Sequence, residues 1–147
     1  MAEARVANAV VTIDAPRAKV WEGLVNPGMI EQYMFVTSVA SEWREGSPIV
    51  WKSLWQGKAI EVRGTILRLD PQRTLEYGYS RPLFGSRPAA SPPKLHHRVT
   101  IKLSDEGKQT RISVTEDNNF SKRELVHAEG SWRMILRNLK GLLEGSR

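Results

Sequence analysis

The sequence predicts an α+β domain in which a curved antiparallel β-sheet of about six to seven strands wraps around one long C-terminal helix. Two observations lead to this fold class. Apolar and polar residues alternate through the middle of the chain, and apolar residues recur at helical spacing near its end. The chain has 147 residues, of which 40% are hydrophobic and 26% charged, so it can bury a core and we expect a single domain over residues 1–147.

The first part of the chain is expected to form one strand and two short helices. Val6–Ile13 is rich in Val and Ala and predicts a strand. Asp14, before an Ala-Pro pair, is a candidate N-cap for a first helix that ends near Asn26. A second short helix over about Gly28–Met34 leads into a strand over about Phe35–Trp43.

The middle of the chain indicates hairpins whose turns set the pairing of the strands. We place turns at Gln56-Gly57, at Asp70–Arg73 and at Ser104–Gln109. These turns predict the following pairs: Trp55 with Lys58, Ser53 with Ile60, Trp51 with Val62, Ile49 with Gly64, Leu69 with Thr74, Ile66 with Tyr77, Gly64 with Tyr79, Leu103 with Thr110, Ile101 with Ile112, Val99 with Val114 and His97 with Glu116.

Because side chains alternate between the two faces of a strand, this pairing divides them into two sets. One set is apolar: Trp51, Ile60, Val62, Ile66, Leu75, Tyr77, Tyr79, Val99, Ile101, Leu103, Ile112 and Val114. The other set is polar: Lys52, Glu61, Arg63, Thr65, Glu76, Arg98, Thr100, Lys102, Arg111, Ser113 and Thr115. The pattern predicts a sheet that is wet on one face and covered on the other.

The cover is predicted to be an amphipathic helix over Ser121–Leu143. Ser121 with Glu124 forms a capping-box pattern at its start, and Gly145 lies just past its end. Its apolar stripe comprises Leu125, Ala128, Trp132, Ile135, Leu136, Leu139, Leu142 and Leu143. The segment Arg81–Lys94, with four prolines, is expected to be a long connection, either a lid or rim of a site or a variable surface loop.

Several short motifs occur along the chain in a distinctive order. They are Ile13-Asp14-Ala15-Pro16 with Val20-Trp21, Asn26-Pro27, Gly64-Thr65-Ile66 with Asp70-Pro71, Leu75-Glu76-Tyr77, Thr110-Arg111-Ile112-Ser113-Val114, and Gly130-Ser131-Trp132 with Leu136 and Leu139. With these motifs the chain resembles the START-like (SRPBCC) superfamily, whose helix-grip fold is shared by the major birch-pollen allergen and polyketide cyclases. Within it the chain is most similar to the heat-shock-protein-ATPase-activator homologue family of small bacterial proteins.

This resemblance implies a fold more specifically than a function. Members of the superfamily bind lipids, hormones and secondary metabolites, or cyclise polyketides. The family name implies a chaperone partner, inherited from a eukaryotic member that carries additional domains. We therefore keep a chaperone-type interaction as one alternative.

The predicted sheet and helix imply a binding pocket between them. Gly130 in the helix and Gly64 in a strand add no side chain there, which leaves room for a ligand or for a bulky sheet residue. The candidate ligand-binding residues are Trp51, Val62, Tyr77, Tyr79, His97, Val99, Val114, Glu116, Gly130 and Met134. Pockets of this kind are mostly apolar with a few polar groups.

His97 and Glu116 are the candidates for acid–base chemistry. The predicted register places them opposite each other on the inner face, with Cβ atoms roughly 4.5–5.5 Å apart. A carboxylate beside a histidine favours the imidazolium and adjusts an acid or base in an apolar pocket. The pair could equally be an ion pair that only satisfies itself.

Composition excludes several classes of site. The sequence has no cysteine, which rules out disulfides and thiolate ligands, and the spacing of its three histidines does not fit a metal site. We expect no metal and no cofactor. The net charge of +6 is spread along the chain, so no nucleic-acid partner is expected. The sequence contains no apolar run of about 18 residues, so membrane insertion is not expected. No signal peptide is visible, so a cytoplasmic location is expected. We expect a monomer or weak dimer.

Three functions remain open from the sequence. The first is a protein that binds an apolar small molecule or lipid. The second is a polyketide cyclase- or dehydratase-like enzyme that uses the same pocket. The third is an interaction domain whose outer face contacts a chaperone or another partner, for which the predicted facing of Lys102 and Arg111 indicates an anionic partner.

Overall fold

The fold is seen in a computed structural model that describes residues 5–34, 36–80, 83–84, 97–119 and 121–145. The elements follow in this order: β1 (Arg5–Ile13), α1 (Arg17–Val25), α2 (Pro27–Tyr33), β2 (Ser38–Ser41), β3 (Pro48–Trp55), β4 (Lys58–Asp70), β5 (Thr74–Tyr79), β6 (Leu83–Phe84), β7 (His97–Glu106), β8 (Gln109–Asn119) and α3 (Lys122–Glu144). This is the predicted helix-grip arrangement, with two short helices after the first strand.

One antiparallel sheet contains all the described strands. Its order is β1–β8–β7–β5–β4–β3–β2, and the two-residue β6 pairs with β4 off this path. Most of the predicted connection Arg81–Lys94 lies outside the described residues, but Leu83–Phe84 inside it is a strand, which we did not predict. The strand predicted over Phe35–Trp43 is shorter and spans Ser38–Ser41.

The predicted register is correct for the first hairpin. β3 and β4 pair from Trp55–Lys58 to Ile49–Gly64, and the turn residues Gln56 and Gly57 both have positive φ, as a tight hairpin turn requires. Glycine at position 64 is needed because a Cβ there would lie 2.2 Å from the carbonyl oxygen of Gly78 on β5.

The second hairpin departs from the prediction near its turn. Ile66 pairs with Tyr77 as predicted, but a bulge before Arg68 shifts the pairing, so Leu69 faces Leu75 and not Thr74.

The predicted register of the third hairpin, between β7 and β8, is wrong by two residues. We expected a loop over Ser104–Gln109, but both strands continue to a two-residue turn in which Gly107 has a φ of 62°. The observed pairs are Leu103 with Ile112, Ile101 with Val114, Val99 with Glu116, Lys102 with Ser113 and Ser104 with Arg111. His97 therefore does not face Glu116, and Lys102 does not face Arg111. A shift of two residues keeps every side chain on its predicted face.

The apolar face is covered by α3 as predicted. Ser121 is the N-cap, and its side chain accepts a hydrogen bond from the backbone N–H of Glu124 at 3.0 Å. The buried residues of α3 belong to the predicted stripe: Ala128, Trp132, Leu136, Leu139 and Leu143. None of the polar outer-face residues is buried.

The short helices differ from the prediction in one cap. Pro16, and not Asp14, occupies the N-cap of α1, because the chain turns only after the Ala-Pro pair. Asn26 ends α1 and caps α2, where its side chain accepts a hydrogen bond from the backbone N–H of Met29 at 3.2 Å.

Helix α3 also protects the exposed edge of β1. Glu129 Oε2 accepts a hydrogen bond from the backbone N–H of Asn8 at 3.1 Å. Lys140 Nζ donates to the backbone oxygen of Thr12 at 2.8 Å. These bonds satisfy backbone groups that an edge strand would otherwise offer to another chain.

Candidate functional site

A buried carboxylate connects the sheet to α3. Glu116 lies on β8 and is only 7% exposed. Its Oε1 accepts hydrogen bonds from Tyr79 Oη on β5 and from Trp132 Nε1 on α3, each at 3.0 Å. These donors stabilise a carboxylate that would be costly to bury alone.

His97 lies beside this carboxylate, although not where we predicted it. Across the β5–β7 pair it faces Tyr79, while Glu116 faces Val99. Its closest approach to the carboxylate, from Nδ1 to Glu116 Oε2, is 3.9 Å. Tyr79, His97, Glu116 and Trp132 are called the Glu116 cluster below.

One hydrogen bond of His97 indicates which of its ring nitrogens carries a proton. Nδ1 lies 3.0 Å from the backbone oxygen of Asp117, and a carbonyl oxygen can only accept, so we assign the proton to Nδ1. In the neutral ring Nε2 is then the acceptor. The His97 side chain is 26% exposed, which places it at the rim of the cluster.

A row of rings runs from this cluster into the core. The centroids of His97 and Tyr79 are 5.1 Å apart and nearly stacked, at 22°. Tyr79 and Tyr77 are 6.5 Å apart, and Tyr77 and Trp51 are 5.1 Å apart. These separations are in the range of favourable aromatic pairs.

The phenols of this region stay protonated at neutral pH. Burial raises the pKa of Tyr77 well above its ordinary value, and the nearby Tyr79, Glu116 and Tyr33 raise it further. Burial also raises the pKa of Tyr79, with the charge of Glu116 and the hydrogen bond to it adding to the effect. Burial alone raises the pKa of Tyr33.

An apolar cavity lies at the Trp51 end of the row, between the sheet and α3. Its volume is about 30 Å³, room for a few water-sized molecules. Its lining consists of Leu24, Ile30, Tyr33, Met34, Trp43, Ile49, Trp51, Leu75, Tyr77, Ile101, Trp132, Ile135, Leu136 and Leu139. Eleven of these residues are buried. The other three, Met34, Trp43 and Ile135, are half-buried, and we call them the mouth of the cavity.

The predicted binding residues divide into three groups around this cavity. Two of them line it: Trp51 and Tyr77. Six lie on the same sheet face without lining it: Val62, Tyr79, His97, Val99, Val114 and Glu116. The cavity and the Glu116 cluster are thus neighbours that share Trp132.

The other two predicted residues, Gly130 and Met134, lie on the opposite side of α3. Gly130 is exposed, and a Cβ added there would meet nothing within 4 Å. Met134 is 47% exposed. Both belong to the helix face turned away from Trp132 and Leu136, so the prediction that Gly130 makes room in the pocket is wrong.

The prediction also missed residues that line the cavity. Tyr33 and Met34 fall within the predicted second helix and Ile135 within the stripe of the long helix, but nothing in the sequence placed them together. Trp43 has a φ of 54°, a left-handed conformation that is uncommon for a bulky residue and that no sequence signal indicated.

The described part of the chain contains neither a metal-binding cluster nor a membrane-spanning helix. Within it, no group of three His, Asp or Glu side chains is arranged to hold a metal ion. No described helix is long and apolar enough to cross a membrane.

The sequence of the chain places it in a known family. Residues 14–144 match the family described as Activator of Hsp90 ATPase homolog 1-like protein. The chain belongs to this family. Among curated proteins, none matches the sequence.

Several solved structures share the fold of this chain. A Cytophaga hutchinsonii protein, ChR145, is 40% identical, with a TM-score of 0.79, and the match covers 99% of this chain and 97% of that one. The Aha1 dimer from Colwellia psychrerythraea is 19% identical, with a TM-score of 0.73 and coverage of 95% and 96%. DynU16, from the dynemicin biosynthetic locus, is 18% identical, with a TM-score of 0.74, and is matched over 97% of this chain and 48% of its own.

Proposed function

We propose that this member of the family binds a small apolar molecule in the cavity between the sheet and α3. The observation that carries the proposal is the lining, in which all fourteen residues are aliphatic or aromatic. A pocket dominated by such side chains is typical of sites for apolar ligands. The similarity to a protein from a biosynthetic locus fits this role.

Binding requires the cavity to widen. At about 30 Å³ it is far smaller than the roughly 300–1,000 Å³ of sites for drug-sized ligands. The mouth residues are half-buried, and Met34 has a flexible side chain that repacks at low cost. We therefore infer that the ligand enters by displacing the mouth, while the sheet side of the lining stays in place.

Acid–base catalysis is not part of this proposal. His97 does not line the cavity, and its Nδ1 proton is engaged by the backbone oxygen of Asp117. Lys102 faces Ser113 and Arg111 faces Ser104, so the facing pair of like charges from which an anionic partner was predicted does not form. A chaperone-type interaction is supported here by the family name.

The proposal is tested with N-phenyl-1-naphthylamine, a neutral dye that fluoresces in apolar surroundings. The wild-type chain should enhance its emission saturably. Ile135→Trp, which fills the mouth, should weaken binding at least tenfold, whereas Met134→Trp, one residue away on the exposed face, should leave it unchanged. If the dye does not bind, or if both variants bind it as the wild type does, the cavity is not a binding site.

A further inference from the structure

We propose that the Tyr77 hydroxyl is the polar anchor of this cavity, and that the cavity selects neutral ring compounds with a hydrogen-bond acceptor over carboxylates. This inference rests on the proposed function and specifies its ligand.

The hydroxyl of Tyr77 has no hydrogen-bond partner among the described residues, and the Tyr77 side chain lines an apolar cavity. Tyr77 is only 5% exposed and lines the cavity, yet its Oη makes no hydrogen bond to any described residue. By contrast, Tyr33 Oη donates to the backbone oxygen of Gly23 at 2.8 Å and Tyr79 Oη donates to Glu116 at 3.0 Å. Every fully shielded polar side-chain atom in the described residues has a partner, so the unpartnered Tyr77 hydroxyl keeps some accessible surface, and the cavity is the space that its side chain lines.

The ligand group that fits this hydroxyl is an acceptor. Because burial raises the pKa of Tyr77, its oxygen keeps its proton and can donate it. A ketone, ester or ether oxygen in the cavity would receive that hydrogen bond. A hydrocarbon of the same shape would leave the hydroxyl unpaired and should therefore bind less tightly.

The charge around Tyr77 disfavours an anionic ligand. The buried carboxylate of Glu116 is close enough that its charge raises the pKa of Tyr77. None of the lining residues carries a positive charge that could pair with a second carboxylate. His97 is turned to Glu116 and Asp117 and does not line the cavity. A bound carboxylate would accept one hydrogen bond from Tyr77, but it would also be desolvated and repelled by Glu116, and no lining residue carries a positive charge to offset these two costs.

The lining also favours flat rings. Trp43, Trp51 and Trp132 join Tyr33 and Tyr77 around the cavity, and Trp51 and Tyr77 are tilted at 50° to each other. Ring faces at such angles offer stacked and edge contacts to a planar molecule.

Three naphthalenes of nearly equal shape separate these effects. 2-Acetylnaphthalene has an acceptor, 2-isopropenylnaphthalene replaces its oxygen by a CH₂ group, and 2-naphthoate carries a carboxylate at the same place. Dissociation constants come from NMR titration of the labelled chain. The wild type should bind the ketone roughly 2–10-fold more tightly than the alkene. It should bind the naphthoate at least tenfold more weakly than the ketone.

Tyr77→Phe assigns the preference to one hydroxyl. This variant should bind ketone and alkene equally, whereas Tyr79→Phe, which also loses one hydroxyl but from a ring outside the lining, should keep the preference. Equal binding of ketone and alkene by the wild type overturns the inference and leaves the proposed function standing. The inference alone is also overturned if the wild type binds naphthoate as tightly as the ketone, or if Tyr77→Phe keeps the preference for the ketone. If none of the three compounds binds, both proposals fail.

Discussion

The two ends of the interface between α3 and the rest of the fold are built differently. At the C-terminal end of α3, Leu143 is 2% exposed, and its Cδ1 lies 3.8 Å from the place where a Cβ on Gly23 of α1 would be. We call this the filled end. Leu139 Cδ1 reaches to 3.0 Å from the place where a Cβ on Gly23 would be, so even a methyl group is tight there.

The other end, above β3, β5 and β7, contains the cavity. Here the rings of Trp51 and Tyr77, tilted at 50° to each other, line the cavity together with Trp132 of the helix, and the mouth residues are only half-buried. A polar bond, from Trp132 to Glu116, holds the helix to the sheet beside this space. Close packing at one end thus fixes the helix, while hydrogen bonding lets the other end keep a cavity.

The largest expected effect is a fall in the free energy of unfolding at high pH, which tests whether water is excluded from the cavity end. All three tyrosines of the chain lie there, and burial raises the pKa of each above its ordinary value of 10. Above pH 10 the unfolded chain loses phenolic protons that the folded chain retains, so the free energy of unfolding falls as pH rises. The fall should reach about 1.4 kcal/mol per pH unit for each tyrosine, or about 4 kcal/mol per unit for the three.

Urea unfolding between pH 9 and 11 measures this fall, and phenolate absorbance monitors ionisation. Tyr33→Phe should reduce the slope by about a third. Phenolate absorbance that rises near pH 10 in the folded chain would mean that water reaches the cavity end.

Truncation should cost more at the filled end than at the cavity end. Leu143→Ala removes a side chain that is 2% exposed and should lower the free energy of unfolding by about 3 kcal/mol, because the space cannot collapse. Ile135→Ala, at the half-buried mouth, should cost about 1 kcal/mol. Urea unfolding measures both variants, and equal decreases in the free energy of unfolding would mean that the two ends are packed alike.

Two tyrosine hydroxyls in the same row of rings should contribute unequally to stability. Tyr79→Phe removes a donor to the buried Glu116 and should lower the free energy of unfolding by about 1.5–2 kcal/mol. Tyr77→Phe removes a hydroxyl with no partner in the described chain and should change it by less than about 0.5 kcal/mol. A reversed order in thermal or urea unfolding would contradict the assigned hydrogen bonds.

The smallest effect is expected from two helical glycines. Gly130→Ala adds a methyl group in open space and should stabilise the chain by about 0.5–1 kcal/mol through helix propensity. Gly23→Ala places its methyl group 3.0 Å from Leu139 Cδ1 and should give no gain. Thermal unfolding compares them, and a gain at Gly23 equal to that at Gly130 would show that the filled end has unused space.

Much of the fold followed from local pattern. Alternation assigned the inner and outer faces correctly even where the register was wrong by two residues, because a shift of two preserves the face. The capping pattern at Ser121 and the spacing of Leu136, Leu139 and Leu143 placed α3 to within one residue at each end. The bulge before Arg68 and the tight turn at Gly107 were not predicted, since both depend on how neighbouring strands twist together.

The site was predicted only in part. Trp51 and Tyr77 were found because they lie on the apolar face, and that face must meet the helix. Gly130 and Met134 were misassigned, because neither belongs to the apolar stripe and helical spacing places both on the face opposite Trp132 and Leu136.

The sequence by itself determined which side chains turn inward and which helix covers them, because both depend on periodicities of two and 3.6 residues along a single segment. Only the tertiary structure decided that Glu116 joins Tyr79, 37 residues away, to Trp132, and that a cavity of about 30 Å³ stays open beside them. Such features depend on the angles at which rings from distant segments meet, and those angles are fixed only when the layers pack.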